Sequence, residues 1–144
     1  MHVELRDRPF EPYAELQAYE TANIPAGKFG ATGVFVGTMR DFNEGDAVQT
    51  MWLEHYPGMT EKYLQTISIQ AAQDRPLLDS LIIHRIGHIE PADPIVLVAV
   101  WSAHRSAAFD AVRFLMEELK SKAPFWKKET LTGGDRWVEK NTPG

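Results

Sequence analysis

The segment Ile95–Lys122, IVLVAVWSAHRSAAFDAVRFLMEELKSK, decides the fold class of this chain. Its opening run is continuously apolar, which predicts a strand over Ile95–Ala103 that is covered on both faces. From about Arg105 to Lys122 the apolar residues fall on one stripe, which predicts a helix that Pro124 terminates. A doubly covered strand that leads at once into an amphipathic helix indicates a fold that mixes sheet and helix.

The rest of the chain continues this mixture of strands and helices. The loop Asp41–Asp46 is rich in turn-forming residues and predicts a hairpin-like pair of the strands on either side of it. Several links are too short for a parallel crossover. We therefore predict an α+β fold, a single domain over residues 1–144 with a mixed, mostly antiparallel sheet. The further predicted strands are Val3–Arg6, Ala31–Arg40, Val48–Tyr56, Ser80–Ile89, Phe125–Leu131 and Arg136–Glu139, and the further predicted helices are Tyr13–Glu20 and Thr60–Gln73.

The bulk composition excludes several classes of protein. With 44% hydrophobic and 24% charged residues, the chain has the composition of a soluble globular protein. It contains neither an apolar run of ~20 residues nor a signal-like N-terminus, so we expect a cytoplasmic protein that does not enter membranes. The net charge of −5 argues against nucleic-acid binding. The absence of cysteine excludes disulfides, thiolate metal sites and a thiol nucleophile from this chain.

Positive charge is concentrated in one region of this acidic chain. Residues 104–128 hold six Lys/Arg against three Asp/Glu, a net charge of +3, and the remaining residues sum to −8. A solvated helix face is one explanation of such a run. The other is a cationic pocket for a small anionic ligand.

Several of the cationic residues lie at element boundaries, where side chains can converge on a ligand. Arg40 closes a predicted strand. His104 and Arg105 begin the long helix, where unpaired N–H groups and the helix dipole favour an anion. Lys120 lies near the other end of the same helix, at the edge of its apolar stripe. We therefore predict a cationic pocket built around these residues and Lys127.

Two geometric limits apply to that pocket. Lys127 and Lys128 are neighbours on a predicted strand, so at most one of them points into a given pocket. A helix of ~16 residues is ~24 Å long, so Arg105 and Lys120 of one copy lie far apart. A pocket that uses both helix ends therefore needs contributions from elsewhere in the fold or from a second protomer.

Other constellations are weaker. His84 and His88 lie on one face of a predicted strand, a spacing that would allow metal ligation, but no third ligand is fixed by the pattern. A hydrolase triad of Ser102 or Ser106 with His104 and Asp110 lacks a nucleophile-elbow motif. The four tryptophans, Trp52, Trp101, Trp126 and Trp137, are predicted to belong to the core.

Six segments of the sequence, taken together, indicate a protein family more specifically than the spacing of individual residues does. They occur in order between about Gly33 and Val138, and they resemble the catalytic (large) subunit of molybdopterin synthase. These segments are Gly37-Thr-Met-Arg40, Leu53-Glu-His-Tyr-Pro-Gly-Met59, His84-Arg-Ile-Gly87, Ser102-Ala-His-Arg-Ser-Ala-Ala-Phe109, Lys120-Ser-Lys-Ala-Pro-Phe-Trp-Lys-Lys-Glu129 and Gly134-Asp-Arg-Trp-Val138.

This resemblance implies a sulfurtransferase of molybdenum cofactor biosynthesis that has no cofactor or metal of its own. The implied substrate is precursor Z, a cyclic pyranopterin monophosphate, which receives two sulfurs to form the dithiolene of molybdopterin. The implied sulfur donor is a small ubiquitin-like subunit with a thiocarboxylate on its C-terminal Gly-Gly. The family assembles as a large-subunit homodimer within a heterotetramer, and its fold is an α/β hammerhead with a small extra sheet.

The same resemblance implies roles for individual residues. Lys120 and Lys127 fall on the catalytic positions, where Lys120 contacts the donor's carboxyl terminus or links to it covalently and Lys127 serves as base or substrate anchor. A lysine near other cations has a lowered pKa, which suits either role. The substrate-binding positions, which include both lysines, are Thr38, Met39, Arg40, His104, Arg105, Lys120, Lys127, Lys128 and Glu129.

Two considerations complete the functional prediction. A chain without cysteine cannot itself carry sulfur as a persulfide, so a sulfurtransferase of this composition needs a partner that brings the sulfur. The alternative function is a non-catalytic module that binds a phosphorylated ligand or a partner's tail. Such a module would need the cationic patch but not Lys120 as such.

Overall fold

The structure, a computed structural model, describes residues 1–138 and has the α+β architecture predicted from the sequence. No helix in this described part is long and apolar enough to cross a membrane. The last predicted strand begins earlier than expected, and Glu139 lies outside the described residues. The helices are α1 (Pro12–Asn23), α2 (Met59–Asp74) and α3 (Arg105–Lys122); the strands are β1 (His2–Arg6), β2 (Ala31–Thr38), β3 (Phe42–Asn43), β4 (Asp46–His55), β5 (Leu77–Arg85), β6 (Gly87–Ile89), β7 (Pro94–Ser102), β8 (Phe125–Leu131) and β9 (Gly134–Trp137).

The larger sheet carries the main core of the protein. Its strand order is β1-β5-β7-β2, with β1 parallel to β5 and the other pairs antiparallel. Alternate residues of β7 point to opposite faces: Val98 packs with α2 and α3, whereas Leu97 packs with residues of α1. Both residues are fully buried. The prediction that this strand is covered on both faces is therefore confirmed.

A second, smaller sheet has the order β3-β4-β8-β9, with β6 paired to β4. It has its own small core, which includes Met39, Met51 and Leu53. The predicted hairpin of the strands around the loop Asp41–Asp46 is wrong, because β2 pairs with β7 and β4 pairs with β8. The chain leaves the larger sheet after β2, and the turn instead joins β3 to β4 through Glu44 and Gly45, which have positive φ angles of 53° and 81°.

The predicted strand Ser80–Ile89 is divided between the two sheets. β5 ends at Arg85 in the larger sheet, and β6 starts at Gly87 in the smaller one. Gly87 has a φ of 81°, a conformation that other residues adopt only with strain, and it turns the chain between the sheets. His84 and His88 consequently do not share one strand face, which removes the geometric basis of a metal site between them.

The tryptophans are placed differently from the prediction. Trp101 is completely buried, as predicted. Trp52, Trp126 and Trp137 are 47%, 42% and 55% exposed, so the prediction that they belong to the core is wrong. All three lie in strands of the smaller sheet, on β4, β8 and β9.

Helix α3 lies very close to β2. A Cβ atom at Gly33 would be 2.8 Å from the carbonyl oxygen of Ala108 and 2.9 Å from Cγ2 of Val112, so only glycine fits there. The helix then follows β2 in the same direction, and its C-terminal turn lies beside the end of that strand. This contact brings Lys120 close to Arg40.

Candidate functional site

A polar cavity of about 270 Å³ lies between the end of β2, the last turn of α3 and strand β8. It contains Arg40, Lys120 and Lys127, three of the five residues predicted to form a cationic pocket. The predicted substrate-binding positions Thr38, Met39 and Glu129 also line it. The remaining lining residues are Phe42, Asn43, Met51, Ile95 and Val138.

Local structure explains why the two lysines meet. Lys120 lies in the last turn of α3, one turn after the buried residue Met116. Lys127 lies in β8, opposite Leu53 of β4 in the register of the smaller sheet. Lys127 lies close enough to Lys120 for its charge to lower the pKa of the Lys120 amino group.

The electrostatic environment favours the neutral form of Lys120. Burial, the charge of Lys127 and the charge of Arg40 together lower the pKa of Lys120 to about 8. Roughly a tenth of Lys120 is therefore a neutral amine at pH 7, and about half at pH 8. A neutral amine is both a nucleophile and a base, whereas an ordinary lysine is neither at this pH.

Arg40 is held at the mouth of the cavity. Its guanidinium group lies 4.9 Å from the centroid of the Phe42 ring, a cation–π contact. The preceding residue, Met39, is only 6% exposed and belongs to the small core. Its backbone N–H donates to Asp93 and its carbonyl accepts from Ala92. The backbone next to Arg40 is thus fixed while its side chain remains available to an anion.

Glu129 forms one wall of the cavity through a network of hydrogen bonds. Glu129 is only 6% exposed. Its carboxylate accepts hydrogen bonds from Asn43 Nδ2 at 3.1 Å and from Arg136 Nε at 3.0 Å. Arg136 also donates to Asp46 at 2.8 Å and to the carbonyl of Asn43 at 3.0 Å. This network ties the β3–β4 turn to β8 and β9. Glu129, predicted as a substrate-binding position, therefore also shapes the cavity by holding its wall.

We expect Glu129→Ala to destabilise the protein by about 1–3 kcal/mol, because Asn43 and Arg136 would lose their buried acceptor. Thermal unfolding of the variant measures this loss as a lowered Tm. The matched control is Glu44→Ala, since Glu44 is mostly exposed and lies 3.9 Å from the same arginine. That control is expected to change stability by no more than about 0.5 kcal/mol. Equal melting temperatures for the two variants would contradict the structural role of Glu129.

The other predicted site residues lie elsewhere. Lys128 occupies the opposite face of β8, where it pairs with Asp135 at 3.4 Å and contacts the Trp137 ring at 5.8 Å. His104 and Arg105 are exposed at the N-terminus of α3. The 18-residue helix is about 27 Å long, so these two residues do not reach the Lys120 cavity of the same protomer.

An apolar groove of about 710 Å³ runs between β2 and α3 and also reaches Lys120. Its walls include Phe35, which is 38% exposed, Phe109, which is 72% exposed, and Met116. Gly33 lies in its floor and contributes no side chain. Lys120 therefore lines both the groove and the polar cavity.

The site contains residues that the sequence reasoning did not select. Asn43 and Phe42 belong to the predicted loop Asp41–Asp46, and nothing in the sequence pattern indicates that either lines a binding site. Arg136 belongs to one of the six segments that resemble the family. The residues of the β3–β4 turn to which it donates hydrogen bonds lie more than eighty positions earlier in the chain. Within the described residues, no group of three His, Cys, Asp or Glu side chains is arranged to hold a metal ion.

Comparisons with known proteins point to one family. The model of the MoaE protein family matches residues 6–122. The molybdopterin synthase catalytic subunit of Pseudomonas aeruginosa is 52% identical over 139 residues, which is 96% of this chain and 91% of that protein.

Solved structures agree with the sequence matches. The molybdopterin biosynthesis MoaE protein from Burkholderia ambifaria superposes with a TM-score of 0.81 at 43% identity, covering 99% of this chain and 92% of that one. Molybdopterin synthase from Staphylococcus aureus gives a TM-score of 0.83 at 32% identity, covering 94% and 95%. The likeness thus extends over nearly the whole fold.

Proposed function

Because this chain belongs to the MoaE protein family, we propose that it converts precursor Z, a cyclic pyranopterin monophosphate, into molybdopterin. The chain is an enzyme of molybdenum cofactor biosynthesis, as its relatives named molybdopterin synthase catalytic subunit are. The observation that carries the proposal is that Lys120, whose pKa is lowered, lies with Lys127 and Arg40 in one polar cavity. We place the enzyme in the cytoplasm, as one domain over residues 1–144.

The polar cavity suits the phosphorylated substrate. Arg40 and protonated Lys127 supply positive charge, which attracts a phosphate monoester. The charge is concentrated there although the whole protein carries a net charge of −5. In this proposal Lys127 anchors the substrate or takes a proton from it.

The sulfur comes from a partner protein. This chain contains no cysteine, so it holds no persulfide. We assign the donor as a small ubiquitin-like subunit whose C-terminal Gly-Gly ends in a thiocarboxylate. Its tail lies in the apolar groove between β2 and α3, and the terminal carbonyl carbon reaches Lys120. The neutral amine of Lys120 contacts that terminus or links to it transiently.

The remaining cationic residues are assigned to a second copy of the chain. His104 and Arg105 lie at the far end of α3 and present unpaired helix N–H groups to solvent. In a two-fold symmetric homodimer, one protomer contributes these groups to the cavity of the other. One small subunit at each end completes a heterotetramer.

Blocking the donor's tail tests this function. A small subunit whose penultimate glycine is replaced by a bulky residue is expected to lose sulfur transfer almost completely, because the added side chain would clash with β2 or α3 where the tail approaches Lys120. Product is measured as dithiolene formed from precursor Z. The control is a small subunit whose tail is unchanged but which carries the same bulky residue elsewhere on its exposed surface.

Two outcomes of that experiment would contradict the proposal. Full activity with the blocked tail would show that the terminus does not enter the groove. If the unaltered, thiocarboxylated small subunit binds tightly but yields no dithiolene, the chain is a non-catalytic binding module instead. Light scattering of the large subunit alone is expected to give the mass of a dimer.

A further inference from the structure

A second cavity, of about 260 Å³, lies on another side of the lysine pair. Lys120 and Lys127 line it together with Leu53, Phe125 and His84. The polar cavity assigned to the substrate does not include His84. This histidine is therefore a buried, hydrogen-bonding side chain next to the reactive amines, with no role in the function described above.

The orientation of the His84 ring is fixed from two sides. Its Nδ1 lies 2.7 Å from the carbonyl oxygen of Arg85, and its face stacks on the Phe125 ring at 4.1 Å between centroids and 17° between planes. A carbonyl oxygen only accepts hydrogen bonds, so Nδ1 carries the proton of the neutral ring. The distal nitrogen, Nε2, is then the acceptor.

The ring is also held in the neutral state. Burial and, to a smaller extent, the charges of Lys120 and Lys127 together lower the pKa of His84 to about 3. Such a group is too weak a base to remove protons at neutral pH. It remains a hydrogen-bond acceptor at all physiological pH values.

We propose that His84 is a positioning residue for Lys120, whose amino group it orients by accepting a hydrogen bond at Nε2 within this second cavity. The stacked contact with Phe125 also positions Lys127, which follows two residues later in β8. This inference rests on the proposed function of the lysine pair. It assigns to a previously unexplained buried histidine a part in the same reaction.

The chemistry of the site explains why a neutral acceptor stands there. A carboxylate at this position would pair with Lys120 and raise its pKa, which would keep the amine protonated and unreactive. An apolar ring would leave the amine without this orienting contact. Both the ammonium and the amine form of lysine carry N–H donors, so an imidazole acceptor holds Lys120 through a change in its protonation.

Three substitutions separate this role from a purely structural one. His84→Gln places an amide oxygen near the position of Nε2, so it restores the acceptor. His84→Asn places an amide N–H near Nδ1, so it restores only the bond to Arg85. His84→Phe preserves the stacking and removes both hydrogen bonds. All three are assayed with thiocarboxylated small subunit and precursor Z, beside the wild-type protein, after thermal unfolding has verified that they are folded.

The expected result is a loss in kcat of ~10–100-fold for the Phe and Asn variants with little change in KM, since a misplaced reactive group typically costs rates of this order. The Gln variant is expected to retain activity within about threefold of wild type. Wild-type kcat in the Phe variant, equal recovery by Asn and Gln, or a change confined to KM would each overturn the proposal.

A measurement on the unaltered protein keeps the proposal testable if the variants do not fold. The ¹⁵N NMR signals of the full chain are expected to show His84 protonated at Nδ1 and unprotonated at Nε2 at neutral pH. A ring protonated at Nε2 would overturn the inference, because it has no acceptor to offer. If the wild-type protein forms no dithiolene, the proposed function is wrong. The tautomer of His84 is measured independently of that assay, and it decides whether Nε2 is available as a hydrogen-bond acceptor.

Discussion

Replacing Lys120 by alanine is expected to reduce molybdopterin formation by about 10²–10⁴-fold, the effect of removing a group that takes part directly in proton transfer or nucleophilic attack. Lys120 is the residue at which the polar cavity, the apolar groove and the second cavity meet. Its side chain lies in the last turn of α3, where truncation removes little core packing. Dithiolene formation from precursor Z measures the loss, and the Tm of the variant shows that the fold persists.

The matched control for Lys120 is Lys122→Ala. Lys122 lies in the same helical turn but is exposed and pairs with Glu118 at 3.1 Å. Its removal is expected to leave the rate nearly unchanged, because an exposed ion pair contributes little. Near-wild-type turnover by a folded Lys120→Ala protein would contradict the catalytic assignment and favour a binding module.

The pH profile of the wild-type protein gives a second test of the same residue. The neutral amine of Lys120 is scarce below its pKa of about 8 and predominates above it. If the neutral amine is the reactive form, the rate of sulfur transfer rises as the pH increases through about 8. A rate that is flat from pH 7 to 9 would exclude this form of Lys120 as the limiting reactant.

The second large effect is expected when two inactive variants are mixed. Arg105→Ala alone should weaken the binding of precursor Z by ~2–5 kcal/mol if the guanidinium makes a desolvated contact with the phosphate. When the Arg105→Ala and Lys120→Ala proteins are mixed, dissociated and allowed to reassociate, the mixture should recover about a quarter of the wild-type activity. The reason is that half of the randomly formed dimers contain one site with both Lys120 and Arg105 intact.

The controls for this experiment decide whether the site is shared. Each variant mixed with itself, and both variants mixed without dissociation, should remain inactive. Precursor Z binding should also be competed by phosphate in the wild-type protein. If the mixed variants show no recovery, or if Arg105→Ala binds precursor Z with an unchanged Kd, the site does not draw Arg105 from a second copy.

The local elements of this protein were predictable because they depend on neighbouring residues. The apolar stripe and Pro124 define α3 over Arg105–Lys122 as observed, and Phe125–Leu131 is the observed β8. The continuous run before α3 marks a strand buried on both faces. The same local logic placed Lys127 and Lys128 on opposite sides of β8, and the structure shows one facing Lys120 and the other facing Asp135.

Strand pairing was not predictable in this way, because it depends on residues distant in the chain. The turn Asp41–Asp46 suggested a hairpin of the strands around it, but β2 is completed by β7, more than fifty residues away. Apolar content likewise predicted buried tryptophans. Trp52, Trp126 and Trp137 are exposed because their sheet has a covered inner side and an open outer side, which composition does not reveal.

The fold class, the extent of α3, the absence of any cysteine and the identity of the cationic residues could all be predicted from the order of the amino acids. Which of these residues meet depends on how the chain folds. Close packing at Gly33 aligns α3 with β2 and brings Lys120 to Arg40 and Lys127, whereas the length of α3 keeps Arg105 away. The lowered pKa of Lys120 likewise arises from burial and neighbouring charges. Both the meeting of these residues and the lowered pKa depend on distances between residues in the folded protein, and the separation of residues along the chain does not determine those distances.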